Sequence, residues 1–161
     1  MAKEKDIKTN AMRLLERMKI SYTVVSADIP EFTSGSDACD IEGIPHECCF
    51  KTLVAEGKSG QHHVFMLPVD KELDMKKAAR AAGEKSVTLV PVRNITALTG
   101  YVRGGVSPLG MKKAFPAYLA REAEQFDTMY ISGGRIGVSV ALRPEDLLKA
   151  SGGTLSDLTT G

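Results

Sequence analysis

Lys51 stands in the run CCFKTLVA (residues 48–55), where every other residue is apolar or small. A lysine inside a strand commonly guards an edge or points to solvent. Turned into a cavity, the same ammonium is a fixed cation that can hold a phosphate or polarise a carbonyl. At an ordinary lysine pKa of about 10.4 it is a poor general base unless it is desolvated. Two glycine-rich stretches offer complementary chemistry. YVRGGVSPLG (residues 101–110) carries Gly104, Gly105, Val106, Ser107 and Pro108, with Arg103 inside it and Lys112 and Lys113 just after it. SGGRIG (residues 132–137) carries Ser132, Gly133 and Gly134. Free backbone N–H groups in such loops can form an anion-binding nest or an oxyanion hole, and glycine lets a ligand come close to the backbone. The plainer reading is that each stretch is a connector, and SGGRIG reads equally well as a hairpin turn. Neither matches GxGxxG or GxxxxGK[ST], so the nucleotide-binding folds are not indicated.

Other candidate chemistries are weaker. Cys39, His46, Cys48, Cys49, His62 and His63 lack the CxxC and HxxxH spacings of zinc ribbons and fingers, so no metal is expected. A thiolate nucleophile needs a base and a lowered pKa, and the place of Cys48 and Cys49 beside Phe50 suggests small core residues instead. Ser107 lacks the GxSxG elbow of a hydrolase nucleophile. No cofactor is implied.

The chain has 161 residues with 43% hydrophobic and 25% charged, the proportions of one globular domain. It has no apolar run of membrane-spanning length, and MAKEKDIKTN at the N-terminus has no apolar signal core, so a cytoplasmic protein without a membrane partner is expected. An odd number of cysteines, two of them adjacent, is a poor disulfide framework, and reduced thiols are expected. The net charge of +1 hides a basic middle: residues 58–113 hold ten Lys or Arg against four Asp or Glu. That bias hints at a polyanionic partner, although Lys76, Lys77 and Arg80 also fit a solvated helix face.

The elements that must position these residues alternate irregularly. Ile7, Ala11, Leu14, Leu15 and Met18 form one helix face, and SYTVVS reads as a strand. Turn chemistry over residues 27–47 surrounds a short helix at 36–41. CCFKTLVAEG and HHVFMLPV read as a hairpin. Asp74 caps a helix that Gly83 stops. SVTLVPV is a strand and RNITAL a short helix; TMYISGG and IGVSVALR are strands around a glycine turn; RPEDLLKAS is a helix with Pro144 in its first turn. The chain after residue 153 is expected to be loosely ordered. The order predicts a single α+β domain over residues 1–161, with a mixed, mostly antiparallel sheet curled toward a partial barrel and flanked by helices.

Three segments, CCFKTLVAEG, TGYVRGGVSPLGMKK and MYISGGRIGVSVAL, taken in this order and spacing, resemble the YbaK/EbsC family, free-standing relatives of the editing domain inserted in bacterial prolyl-tRNA synthetases. The resemblance spans roughly residues 7–150. It implies an aminoacyl-tRNA deacylase that hydrolyses the ester joining a wrong amino acid to a tRNA 3′ end, cysteine on tRNA(Pro) first and cysteine on tRNA(Cys) second. By the same resemblance Lys51 is the functional lysine, the GxxxP loop is 104–108, the SGG serine is Ser132, and Tyr22 and Phe32 line the site with aromatic rings. In the cysteine-specific relatives the substrate's own thiol is the implied attacking group. Prolyl-tRNA synthetase is the implied docking partner. Where family members often carry an aspartate after the SGG turn, this chain has Ser139. Two alternatives stay open: a deacylase for another small amino acid, alanine or serine, and a non-catalytic module that binds nucleotides or tRNA ends.

Overall fold

The computed structural model describes residues 8–30 and 33–160. Three of the helices begin at a capping side chain. Helix α1 (Asn10–Arg17) starts at Thr9, whose hydroxyl accepts from the Met12 N–H, and buries Ala11, Met12 and Leu15. Ile7, expected on the same face, lies outside the described residues. Helix α2 (Gly35–Glu42) is capped by Ser34 and stops at Gly43. Helix α3 (Met75–Ala82) is capped by Asp74, which accepts from the N–H groups of Lys76 and Lys77, and stops at Gly83 as the sequence predicts. Helices α4 (Val92–Thr99) and α5 (Pro144–Ser151) complete the set.

The strands form two sheets. Strand β1 (Thr23–Ser26), β6 (Met129–Arg135) and β7 (Val138–Leu142) make an antiparallel sheet in the order β1-β7-β6. Strands β2 (Phe50–Gly57), β3 (His62–Pro68), β4 (Val87–Leu89), β5 (Ala117–Ala120) and β8 (Thr154–Ser156) make the other, in the order β4-β2-β3-β5-β8. Antiparallel pairing dominates, as expected, but β5 lies parallel to both β3 and β8. Among the described residues, a single parallel bridge, Cys49 to Tyr130, links the sheets. The arrangement stays open, short of a closed barrel, as expected. The main core lies between the sheets and under α1. A second cluster packs α3 on the far face of β2 and β3, and a third gathers Cys39, Ile44, Cys48 and Cys49 beneath α2.

Three expectations change. Residues 154–160 are ordered: β8 adds an edge strand, Leu158 is fully buried, and Thr159 donates to Glu122. Burying Leu158 against the α3 cluster outweighs the polar composition of the tail. Cys39 and Cys49 form a disulfide, which leaves Cys48 as the free thiol. Helix α2 folds back over the start of β2, so two thiols ten residues apart meet. Finally, the β6–β7 turn falls at residues 136–137. Ser132, Gly133 and Gly134 remain in β6, where the register shifts between Ser132 and Arg135.

Candidate functional site

Strand alternation decides which side chains share the site. Phe50 and Val54 of β2 enter the core between the sheets, which sends Lys51 to the opposite face together with Cys49, just ahead of the strand. On β6, Met129 and Ile131 enter the core and Tyr130 and Ser132 face the other way. On β7, Val138, Val140 and Leu142 enter the core, leaving Ser139 with Ala141. The Cys49–Tyr130 bridge is parallel, and two residues further along each strand stand Lys51 and Ser132. Ser132 pairs across β6–β7 with Ser139, and Ser139 pairs with Val25 of β1. One face therefore carries Lys51, Ser132 and Ser139 in adjacent strands, with α2 lying over its far end.

Lys51 is half-buried, and its ammonium donates to the Val69 carbonyl at 3.3 Å. Burial pulls its pKa below the ordinary lysine value, and the negative charges of Glu72 and Asp70 oppose that pull. An ammonium has three N–H donors, so among the described residues two remain for a ligand. Asp70 is itself held by Ser36 at 2.6 Å and by His46 at 2.7 Å, and its pKa is lowered by those two bonds. The second ring nitrogen of His46 bonds Asp40 at 2.7 Å. Two carboxylates, which only accept, hold both ring nitrogens as donors and raise the pKa of His46, Asp70 first. The clasp and the Cys39–Cys49 disulfide together fix α2 to the chain that flanks Lys51.

The Ser132 hydroxyl accepts from the Gly134 N–H at 3.2 Å, which leaves its own proton free to donate. Gly133 and Gly134 are held from behind: the Gly133 carbonyl accepts from Thr9 at 2.6 Å, and the Tyr101 ring packs against Gly134. The GGVSP loop meets the same hairpin three residues beyond Ser132. A Cβ on Gly105 would lie 2.8 Å from the Arg135 carbonyl carbon and 2.9 Å from the Ile136 nitrogen, so only glycine permits this approach. Gly104 is exposed with a φ of +88°, in the region that disfavours side chains. Val106 and Pro108 are half-buried. Ser107 is completely buried, and its hydroxyl accepts from the Leu109 N–H at 3.2 Å, so its side chain clips the loop. Tyr101 donates to the Leu109 carbonyl at 2.6 Å from a buried position that pushes its pKa up to about 12.

Tyr22 packs on the core between the sheets, and its hydroxyl donates to Glu16 at 2.6 Å. Phe32 lies outside the described residues. A cavity of about 480 Å³ opens between residues 26–28, residues 100–102 and the hairpin turn; Gly134 lines it and Lys51 does not. A second cavity of about 450 Å³, lined by Lys77, Arg121 and Asp157 among others, includes none of the predicted residues. Among the described residues no group of three or more His, Cys, Asp or Glu is placed to hold a metal, and no helix is long and apolar enough to cross a membrane.

A family model described as the aminoacyl-tRNA editing domain matches residues 30–150. The chain belongs to the aminoacyl-tRNA editing domain family. A relative from Enterococcus faecalis, with the provisional name Cys-tRNA(Pro)/Cys-tRNA(Cys) deacylase EbsC, is 41% identical over 162 residues, covering 99% of both chains. Among solved structures, this editing domain resembles one described provisionally as a trans-editing enzyme for prolyl-tRNA synthetase, at a TM-score of 0.81 and 27% identity over 96% of this chain and 99% of that one. A protein described only as hypothetical shares the fold at a TM-score of 0.85 and 22% identity, over 94% of this chain and 100% of that one.

One functional candidate gave no signal in the sequence. Glu42 reads as an ordinary residue at the end of a short helix. Its carboxylate accepts from the Ser139 hydroxyl through both oxygens, at 3.1 and 3.0 Å. Only the fold brings residues 97 positions apart to this contact.

Proposed function

We propose that this chain is a trans-editing hydrolase that deacylates mischarged tRNA, acting first on Cys-tRNA(Pro) and second on Cys-tRNA(Cys). The observation that carries the reading is the half-buried Lys51 ammonium on one face with Ser132, at the seam of two sheets. An aminoacyl ester is already activated, so positioning and stabilisation of the developing oxyanion suffice without a catalytic triad. In this reading the Lys51 ammonium and the Ser132 hydroxyl face the ester, and the GGVSP loop supports the terminal adenosine. The substrate thiol attacks the ester carbonyl: a carbon–sulfur bond forms, the bond to the ribose oxygen breaks, and that oxygen takes up a proton. Water then opens the resulting thioester. Alanine and serine lack the thiol and are spared, which gives selectivity without a tight pocket. The supports are family membership, the relative's name and the placement of Lys51. The same reading places the protein in the cytoplasm, with prolyl-tRNA synthetase as its docking partner.

The test is a deacylation assay of the purified protein on Cys-tRNA(Pro), Cys-tRNA(Cys), Ala-tRNA(Pro) and a serine-charged tRNA. The expected result is rapid release of cysteine and little release of the others. Preferential release of alanine or serine would replace the substrate assignment. Tight binding with no release from any of the four would make the chain a binding module.

A further inference from the structure

The Lys51 ammonium has a counterpart of opposite charge on α2. Glu42 is the last residue of α2, half-buried, with its carboxylate on the Ser139 hydroxyl. Three features make this an unfavourable place for a carboxylate. Burial raises its pKa, and the single Ser139 bond offsets that only in part. A helix C-terminus carries partial negative charge that repels it. Among the described residues no cation pairs with it. A charge kept in such a position is a candidate for work on a ligand.

Its location identifies the ligand group. Ser139 is the cross-strand partner of Ser132, and opposite residues in such a pair stand about 5 Å apart between Cβ atoms. Lys51 stands one strand beyond Ser132 at the bridge between the sheets. Lys51 lies on this face from the β2 side, and Glu42 reaches Ser139 from α2 on the β7 side. The reacting end of an aminoacyl ester has the same polarity in miniature. Its carbonyl and phosphate oxygens seek a cation, and its α-amino group, protonated as an ammonium, seeks an anion. Lys51 repels that ammonium; Asp70 and Glu72 act on Lys51 itself, and Glu42 is the carboxylate bonded to Ser139 that attracts the ammonium.

We propose that Glu42, oriented by Ser139, binds the free α-ammonium of the substrate and restricts the enzyme to aminoacyl esters whose amino group is unblocked. The proposal rests on the deacylase reading above. With the α-ammonium on Glu42, the carbonyl carbon is held toward Lys51 and Ser132, which is a positioning effect on the reacting bond.

The experiment compares Cys-tRNA(Pro) with its N-acetylated form, using wild-type protein and Glu42→Gln. Glutamine keeps the shape and an oxygen that accepts from Ser139, and it removes the charge. Wild-type protein is expected to favour the free-amino substrate by at least about thirtyfold in kcat/KM. Glu42→Gln, with an unchanged melting temperature, is expected to lose most of the activity on the free-amino substrate while its rate on the acetylated one stays within about threefold of wild type. The wild-type comparison needs no variant, so a folding defect in the glutamine protein leaves it readable. Equal wild-type rates on the two substrates would overturn the Glu42 assignment and leave the deacylase reading intact, as would a parallel fall on both substrates in Glu42→Gln. Wild-type protein inactive on both would overturn the deacylase reading and this inference with it.

Discussion

Replacing Lys51 with alanine separates a catalytic cation from a structural one, because the structure sets the two effects at different sizes. On the stability side, the substitution removes one hydrogen bond, from the ammonium to the Val69 carbonyl at 3.3 Å. A bond of this kind contributes about 0.5–1.5 kcal/mol, and this one is long. The opposing effect is relief of a desolvated charge. The folded pKa of Lys51 lies below its unfolded value. The folded state therefore disfavours the charged form at every pH below that value, and alanine removes the penalty. The two effects offset, so the net change should stay within about 1 kcal/mol, or roughly 2–4 °C in melting temperature for a domain of this size. On the activity side, a single donor aimed at a developing oxyanion is worth about 100- to 1,000-fold in turnover, roughly 3–4 kcal/mol. Lys51→Ala should therefore lower kcat/KM on Cys-tRNA(Pro) at least about a hundredfold with little loss of thermal stability. Single-turnover deacylation and a thermal melt on the same preparation measure both. A folded variant within about threefold of wild-type turnover would refute the role of Lys51 and, with it, the arrangement of the cleft around the bridge between the sheets.

Other perturbations read other parts of the structure. Gly105→Ala drives a methyl into the backbone of Arg135 and Ile136, and overpacking of this kind costs about 1–3 kcal/mol, so the melting temperature should drop by several degrees; an unchanged melt would show that the loop does not press on the hairpin. Cys39→Ser opens the cross-link to Cys49, whose short loop is worth about 3 kcal/mol at most in the chain-entropy account, so a reductant should destabilise wild type and leave the variant unaffected. Cys48→Ser should stay active, because the free thiol is buried with its pKa raised by desolvation; a folded but dead variant would return that thiol to the mechanism. His46, whose folded pKa is raised by Asp70 first and Asp40 second, contributes stability that is fully present below about pH 6.5 and is lost as pH rises through the raised value. Urea melts from pH 6 upward should show that decline in wild type and not in His46→Asn, and parallel curves for the two proteins would contradict it.

The sequence showed local chemistry well and long-range meetings poorly. Asp74 and Gly83 bracket α3 as read, because a cap and a left-handed glycine act within a few residues of themselves. The face of Lys51 was not legible, because every other residue of its run is apolar or small and no period of two shows; only the packing of Phe50 and Val54 in the core fixes it. The disulfide was missed because spacing cannot tell that α2 turns back over the start of β2, bringing Cys39 to Cys49. The tail was misjudged for a related reason. A three-residue strand has almost no periodicity of its own, and β8 is ordered by pairing with β5 and by the burial of Leu158. Glu42 was invisible on both counts, since it lies in a helix with weak patterning and its partner is on β7.

The open seam between the sheets follows from one irregularity in β6. After Ser132 the pairing with β7 skips Gly133 and Gly134 and resumes at Arg135 opposite Val138. Extra residues on one strand bend it and sharpen its twist, and the glycines allow Thr9 and Tyr101 to hold that bend from behind. A strand that bends here cannot stay alongside β2, so the bridge between the sheets is confined to Cys49 and Tyr130. The β4 strand covers β2 only from Ala55 to Gly57, which leaves the stretch around Lys51 facing β6 with no strand filling the gap. Backbone donors and acceptors on such diverging edges need partners, and a ligand can supply them. The same irregularity sets Lys51 and Ser132 each two residues past the Cys49–Tyr130 bridge, where the two strands part.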